Sequence, residues 1–149
     1  MSEDEIRTHS ALHVLKGAVQ NVLGAKWTSS TYVSGRHGRL TVKFDRAPTA
    51  DELDRIGRAA NQKVAEGVEI SEFEMDRQEA ENHFGDLIYD LFPVPSNVQR
   101  LKLVRIPDWN VNCCLERHVD STSLVGPINL GRPRFRNSRR ELEMEFDLV

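Results

Sequence analysis

Residues 7–13 read Arg-Thr-His-Ser-Ala-Leu-His, and residues 109–118 read Trp-Asn-Val-Asn-Cys-Cys-Leu-Glu-Arg-His. Each stretch holds two metal-ligand side chains four positions apart: His9 with His13, and Cys114 with His118. Side chains at i and i+4 lie on one face of a helix, so each pair can converge on one ion. Imidazole and thiolate together form a ligand set that zinc favours. The two pairs therefore predict one zinc (Zn2+) site assembled from distant parts of the chain.

The neighbouring cysteine, Cys113, is predicted not to be a ligand. It is one position off the four-residue spacing, and adjacent residues of an extended chain point to opposite faces. We therefore interpret Cys113 as a small buried apolar residue. Two adjacent cysteines do not make a disulfide framework, and a thiolate ligand must stay reduced, so a cytoplasmic location is expected.

The spacing of apolar residues predicts an α+β fold in which a largely antiparallel sheet is packed with helices. Helices are predicted over 9–23, from the capping-box residues Thr49 and Glu52 to Gly67, and over 76–84. Strands are predicted over 28–33, 40–44, 68–74, 101–106 and 141–149. Because the 149 residues contain no repeat, linker or low-complexity segment, we interpret 1–149 as a single domain.

Composition and charge restrict the class of protein. With 39% hydrophobic and 29% charged residues, the chain has the composition of a soluble globular protein. It has no apolar run long enough to cross a bilayer, and its acidic N-terminus is unlike a secretory signal, so no membrane partner is expected. A net charge of −3 argues against a generic nucleic-acid binder, which would be basic.

Three arginines recur at every second position, so on a strand they would share one face: Arg132, Arg134 and Arg136. This basic face has two interpretations. It is either a surface that contacts nucleic-acid phosphates or a solvated strand face.

The two ligand-bearing stretches resemble the editing domain of alanyl-tRNA synthetases and its free-standing relatives, the AlaX proteins. The segment 121–128, Ser-Thr-Ser-Leu-Val-Gly-Pro-Ile, is similar to the family's Thr-Gly-Glu-Ile-Gly-Pro-Ile, and the resemblance extends to 26–33 and 90–95. It covers nearly the whole chain and is strongest to the short archaeal-type form. The chain departs from the family where Leu-Glu-Arg at 115–117 replaces Gly-Gly-Thr, and where Ser-Leu at 123–124 replaces Gly-Glu.

The resemblance implies the fold of the alanyl/threonyl-tRNA synthetase editing domain and a zinc-dependent aminoacyl-tRNA deacylase. Such an enzyme acts in trans on the tRNA for alanine, tRNA(Ala), wrongly charged with serine or with glycine, and hydrolyses the ester bond to the terminal adenosine. An apolar pocket rejects the serine hydroxyl poorly, so a second, hydrolytic site that selects this hydroxyl is needed. The resemblance assigns that selection to Thr28, with Thr31 as the alternative. The competing interpretation of Thr28 is a β-former in its strand.

Four protein ligands present a difficulty for this chemistry, because a closed tetrahedral site is typical of structural zinc. Catalysis requires a fifth coordination position or a ligand that yields, after which zinc could activate water or polarise the ester carbonyl. Two further hypotheses stay open, because the departures from the family at 115–117 and 123–124 are compatible with a retained metal and lost catalysis. The chain is alternatively a non-catalytic zinc-stabilised RNA-binding module, or a metallohydrolase of another aminoacyl ester.

Overall fold

In a computed structural model that describes residues 1–149, the chain begins with a long helix, α1 (Glu3–Leu23). The Ser2 hydroxyl accepts a hydrogen bond from the Glu5 N–H, and the Glu5 carboxylate accepts one from the Ser2 N–H. This capping box begins the helix earlier than the predicted start at His9. Gly24 ends it in the left-handed conformation, with φ of 70°.

Two more helices, eight strands and two short 3-10 turns complete the chain. The helices are α2 (Ala50–Glu66) and α3 (Arg77–Phe84), and the 3-10 turns are Gly85–Ile88 and Thr122–Leu124. The strands are β1 (Thr28–Ser34), β2 (His37–Lys43), β3 (Ser71–Asp76), β4 (Arg100–Ile106), β5 (Asn110–Cys113), β6 (Ile128–Leu130), β7 (Arg134–Arg136) and β8 (Glu141–Leu148).

The strands form two antiparallel sheets. In the larger sheet the order is β1-β2-β8-β6, and β7 lies beside β6 on the same edge of β8. The smaller sheet has the order β3-β4-β5. The predicted α+β class with antiparallel pairing is confirmed, although the strands divide into two sheets where one was expected.

Strand β4 separates two apolar clusters. Val104 and Ile106 belong to the main core, which α1, α2 and the five-stranded sheet enclose. Leu101 and Leu103, on the opposite face of β4, pack in a smaller cluster with Ala80 of α3. Because successive strand residues alternate between faces, Lys102 lies on the face that carries Val104 and Ile106. This placement brings a charged side chain to the side of the sheet where α1 lies.

Most predicted elements are confirmed within a few residues. Thr49 and Glu52 form the predicted capping box of α2, and Gly67 ends that helix. The strand predicted from 68 begins only at Ser71, because Val68 and Ile70 donate instead to the 120–122 segment. Strands β5 and β6 were not predicted, and β7 was considered only as a possible arginine-bearing strand. None of the helices has the length and apolar character needed to cross a bilayer.

Candidate metal centre

The fold brings the four predicted ligands together. The Nε2 atom of His9 lies 3.0 Å from the Sγ atom of Cys114. The Nε2 atoms of His13 and His118 lie 3.2 Å apart. One nitrogen or sulfur donor from each of the four residues lies within 4.8 Å of every other. This donor cluster is therefore compact enough to hold a metal ion.

Helix α1 supplies the first pair by the geometry that its spacing predicts. His9 and His13 are one turn apart on the helix, and their ring centroids lie 5.3 Å apart. His13 is 9% exposed, whereas His9 is half-buried at the edge of the helix. Two side chains of β5 and the turn before it fix this part of α1: Trp109 donates to the Val14 carbonyl at 2.9 Å, and Asn110 donates to the His13 carbonyl at 2.8 Å.

The second pair does not lie on a helix, so a helical explanation of its spacing is wrong. Cys114 follows β5 directly, and residues 114–118 are an irregular segment. The Lys102 ammonium donates to the carbonyls of Leu115 at 3.2 Å and Glu116 at 3.0 Å. The Cys114 N–H donates to the Lys102 carbonyl at 3.1 Å. Lys102 therefore holds the start and the middle of the segment.

Glu72 of β3 holds the other end of this segment. Its Oε2 atom accepts hydrogen bonds from the backbone N–H of His118 at 2.9 Å and from Nδ1 of the same residue at 2.8 Å. With Nδ1 engaged, Nε2 of His118 is left facing the donor cluster, which is the usual arrangement of a histidine ligand with a carboxylate partner. Glu72 and Lys102 also form an ion pair at 3.4 Å.

Sequence reasoning missed Glu72 and Lys102. Both charged residues alternate with apolar residues along their strands, Glu72 on β3 and Lys102 on β4. This alternation places both charged side chains on the face of the sheet toward α1. Nothing in that alternation identifies residue 118 as their partner, because the contact joins residues far apart in the chain.

Burial sets the protonation of the donor cluster. It lowers the pKa of His9 to about 4 and that of His13 well below its usual range, and the neighbouring His118 lowers both further. Burial also lowers the pKa of His118, against the opposing effect of Glu72. The imidazoles are therefore neutral near pH 7, which is the form that binds metals.

The two acidic groups of the site, the Cys114 thiol and the Glu72 carboxyl, have pKa values shifted in opposite directions. Burial raises the pKa of the Cys114 thiol, so in the free protein this group retains its proton. Burial alone would also raise the pKa of Glu72, but the hydrogen bond from His118 and the charge of Lys102 outweigh it and lower the pKa. Glu72 therefore carries the charge needed to orient His118.

A cavity of about 140 Å³ opens beside the donor cluster. His9, His13 and Cys114 form part of its wall, together with Leu12, Lys16, Thr28, Thr31, Leu40, Asp90, Asn112 and Cys113. Thr28 is 3% exposed, and its buried Oγ1 atom has no hydrogen-bond partner. Thr31 is exposed at the cavity. Both residues predicted to contact the substrate therefore line the same cavity as the metal-ligand candidates.

Cys113 lies outside the donor cluster, as predicted, although it also lines the cavity. It is half-buried and packs against the smaller apolar cluster. Burial raises the pKa of its thiol to about 11, so the thiol stays protonated near neutral pH.

The predicted basic face is divided between a loop and an edge strand. Arg132 is exposed between β6 and β7, and Arg134 is exposed on β7. Arg136 pairs with Glu143 at 3.2 Å on the neighbouring strand, which offsets part of its charge. None of the three lines the cavity beside the donor cluster. A phosphate contact by these arginines stays a prediction.

The chain is similar to one segment of archaeal alanine–tRNA ligases. It is 36% identical over 133 residues to the ligase of Methanopyrus kandleri, which covers 88% of this chain and 14% of the ligase. The ligases of Pyrococcus abyssi and Hyperthermus butylicus are 35% and 34% identical over 128 and 126 residues. The chain thus spans about 14% of the length of these curated relatives.

No protein-family model matches the chain. The resemblance to alanyl-tRNA synthetases, predicted from the motifs, is nonetheless confirmed by the ligase matches, and the chain is a homologue of this ligase segment.

Proposed function

We propose that this chain is a zinc-dependent aminoacyl-tRNA deacylase that hydrolyses the ester of tRNA(Ala) mischarged with serine, acting in trans in the cytoplasm. Two observations support the proposal. The chain is a homologue of a segment of alanine–tRNA ligases, whose name identifies tRNA and alanine as their substrates. Its donor cluster opens on a cavity of a size suited to a small aminoacyl group.

The observation that carries the serine assignment is the unpaired hydroxyl of Thr28. A buried polar atom without a partner is uncommon in proteins and costs free energy, about 1–3 kcal/mol. Such a cost is offset if a substrate supplies the missing hydrogen bond. Serine differs from alanine by one hydroxyl, and Thr28 Oγ1 offers that hydroxyl a partner at the cavity wall.

The donor set suits zinc. Three imidazole nitrogens and one thiolate match the ligands of tetrahedral sites, in which Zn–N is about 2.0–2.1 Å and Zn–S about 2.3 Å. Those bond lengths place neighbouring donors roughly 3.3–3.6 Å apart. The separations in the donor cluster fall on both sides of this range, from 3.0 Å and 3.2 Å in the two facing pairs to at most 4.8 Å. We assign His9, His13, Cys114 and His118 as the ligands. Zinc bound there would act as a Lewis acid toward the ester carbonyl or a water molecule.

The remaining residues of the site orient and enclose the substrate. Leu12 and Leu40 provide apolar wall, which favours a small side chain and displaces water from the ester. Glu72 keeps Nε2 of His118 directed at the donor cluster. The arginines Arg132, Arg134 and Arg136 are proposed to contact tRNA phosphates at a distance from the cavity.

The test is a deacylation assay with serine-charged and alanine-charged tRNA(Ala) on the purified protein. The proposal predicts that serine is released much faster than alanine. Release of neither amino acid by protein that retains its metal would favour the RNA-binding module. Hydrolysis of simple amino-acid esters without preference for tRNA would favour the other metallohydrolase hypothesis.

A further inference from the structure

An ion pair between a buried lysine and a half-exposed aspartate lines the cavity beside the donor cluster. The Lys16 ammonium lies 2.7 Å from Oδ1 of Asp90. The Lys16 side chain is 6% exposed, whereas the Asp90 side chain is 48% exposed. Burying an ammonium is costly without a paired anion, so Asp90 stabilises the charged lysine where it is. The lysine in turn holds the carboxylate at the cavity wall.

Asp90 has hydrogen-bonding capacity to spare. Oδ1 accepts the single hydrogen bond that its side chain makes, and Oδ2 makes none in the structure. Asp90 is the only carboxylate among the residues that line the cavity.

Asp90 and Thr28 are joined through the backbone. The N–H of Leu91 donates to the carbonyl of Thr28 at 2.9 Å. The carboxylate and the unpaired hydroxyl therefore belong to adjoining segments that both line the cavity. In a seryl ester the ammonium and the hydroxyl are carried by adjacent carbon atoms, so they can face two adjoining segments together.

We propose that Asp90 binds the α-ammonium of the aminoacyl group, and that the site selects esters whose α-amine is free. The inference rests on the proposed function and adds a second specificity contact to that of Thr28. A carboxylate has about four lone-pair positions and can accept from two ammonium groups at once. Lys16 holds one oxygen, which leaves the other to accept from the substrate. A charge-assisted hydrogen bond of this kind distinguishes an amine from a neutral amide.

The test compares seryl-tRNA(Ala) with the same tRNA after acetylation of the serine α-amine. Wild-type protein is expected to hydrolyse the acetylated ester about 10- to 100-fold more slowly, in line with the loss of one charge-assisted hydrogen bond. Asp90→Asn should slow seryl-tRNA hydrolysis by a similar factor and leave the acetylated ester nearly unaffected, so the ratio of the two rates collapses toward one. Asp86→Asn is the matched control, because Asp86 pairs with Lys26 outside the cavity.

The outcomes distinguish a failure of this inference from a failure of the proposed function. Wild-type protein that hydrolyses both esters equally contradicts the inference and leaves the proposed function intact. Wild-type protein that hydrolyses neither ester contradicts the proposed function, and this inference with it. If Asp90→Asn keeps the wild-type ratio, the α-amine is recognised elsewhere, for example by the metal, and the inference is wrong.

Asp90→Asn leaves a buried lysine without its anion, which could prevent folding. The double variant Lys16→Met, Asp90→Asn removes both charges and keeps the side-chain volumes close to their original values. It should show the same collapse of the rate ratio, with zinc content equal to that of the wild type. A double variant that folds, binds zinc and still prefers the free amine would overturn the inference.

Discussion

Replacing Thr28 by valine removes one hydroxyl and keeps the shape of the side chain. Because Thr28 Oγ1 makes no hydrogen bond to another group of the protein, the substitution breaks no hydrogen bond of the fold. The free energy of unfolding should therefore stay the same or rise slightly, unlike the usual outcome at a residue that is 3% exposed. Zinc content should also be unchanged, since Thr28 lies outside the donor cluster.

Thr28→Val should slow hydrolysis only of the serine substrate. Leaving the serine hydroxyl without its partner costs about 1–3 kcal/mol, which corresponds to roughly a 5- to 150-fold loss in kcat/KM. Hydrolysis of alanyl-tRNA(Ala), which lacks the hydroxyl, should hardly change. The assay is the ratio of serine to alanine release for wild type and Thr28→Val on the same tRNA. An unchanged ratio would refute the assignment and transfer the role to Thr31 or to another residue of the cavity.

Three further predictions concern the surroundings of the donor cluster. Lys102→Met should weaken zinc binding about 10- to 100-fold in a chelator competition, because the 114–118 segment loses the hydrogen bonds from the Lys102 ammonium. Lys26→Met is the control. Equal zinc affinities of Lys102→Met and the wild type would contradict this role of Lys102. Metal-free protein should lose stability as pH falls from about 6.5 toward 4, because the unfolded histidines bind protons there while the folded ones, whose pKa values burial lowers, do not. Equal melting temperatures at pH 7 and pH 5 in the presence of chelator would disprove it. Gly17→Ala should destabilise the protein by about 1–3 kcal/mol, because the added methyl group overlaps the Trp109 indole. In the control variant Gly57→Ala the methyl group meets only Leu130 at 3.6 Å, so this substitution should be neutral or stabilising. Denaturant unfolding of the two variants measures the difference.

Local patterns predicted the parts of the fold that local interactions determine. The capping box at Thr49 and Glu52 and the alternation along β8 are properties of neighbouring residues, and both are confirmed. The same holds for His9 and His13, whose proximity follows from one turn of α1. The short strands β5 and β6 were missed, because three or four residues carry too little periodicity to distinguish a strand from a loop.

The second half of the donor cluster shows where sequence spacing reaches its limit. Cys114 and His118 are brought together by Lys102 and Glu72, which lie on two other strands. The four-residue spacing picked out two residues that the fold does bring together, but not through a helix, since the segment is irregular. Likewise, the ion pair of Lys16 with Asp90 joins α1 to a distant loop, and only the assembled fold shows that it lines the cavity.

The central claim is that the donor cluster binds zinc and that this zinc site hydrolyses the seryl ester. The adjacent cysteines offer a matched pair of variants, Cys114→Ala and Cys113→Ala, in which the same atom is removed one residue apart. Zinc content and seryl-tRNA(Ala) hydrolysis should be measured on the same preparations. Cys114→Ala is expected to lose both, and Cys113→Ala is expected to keep both. Full zinc content and full activity in Cys114→Ala, or their loss in Cys113→Ala alone, would contradict it.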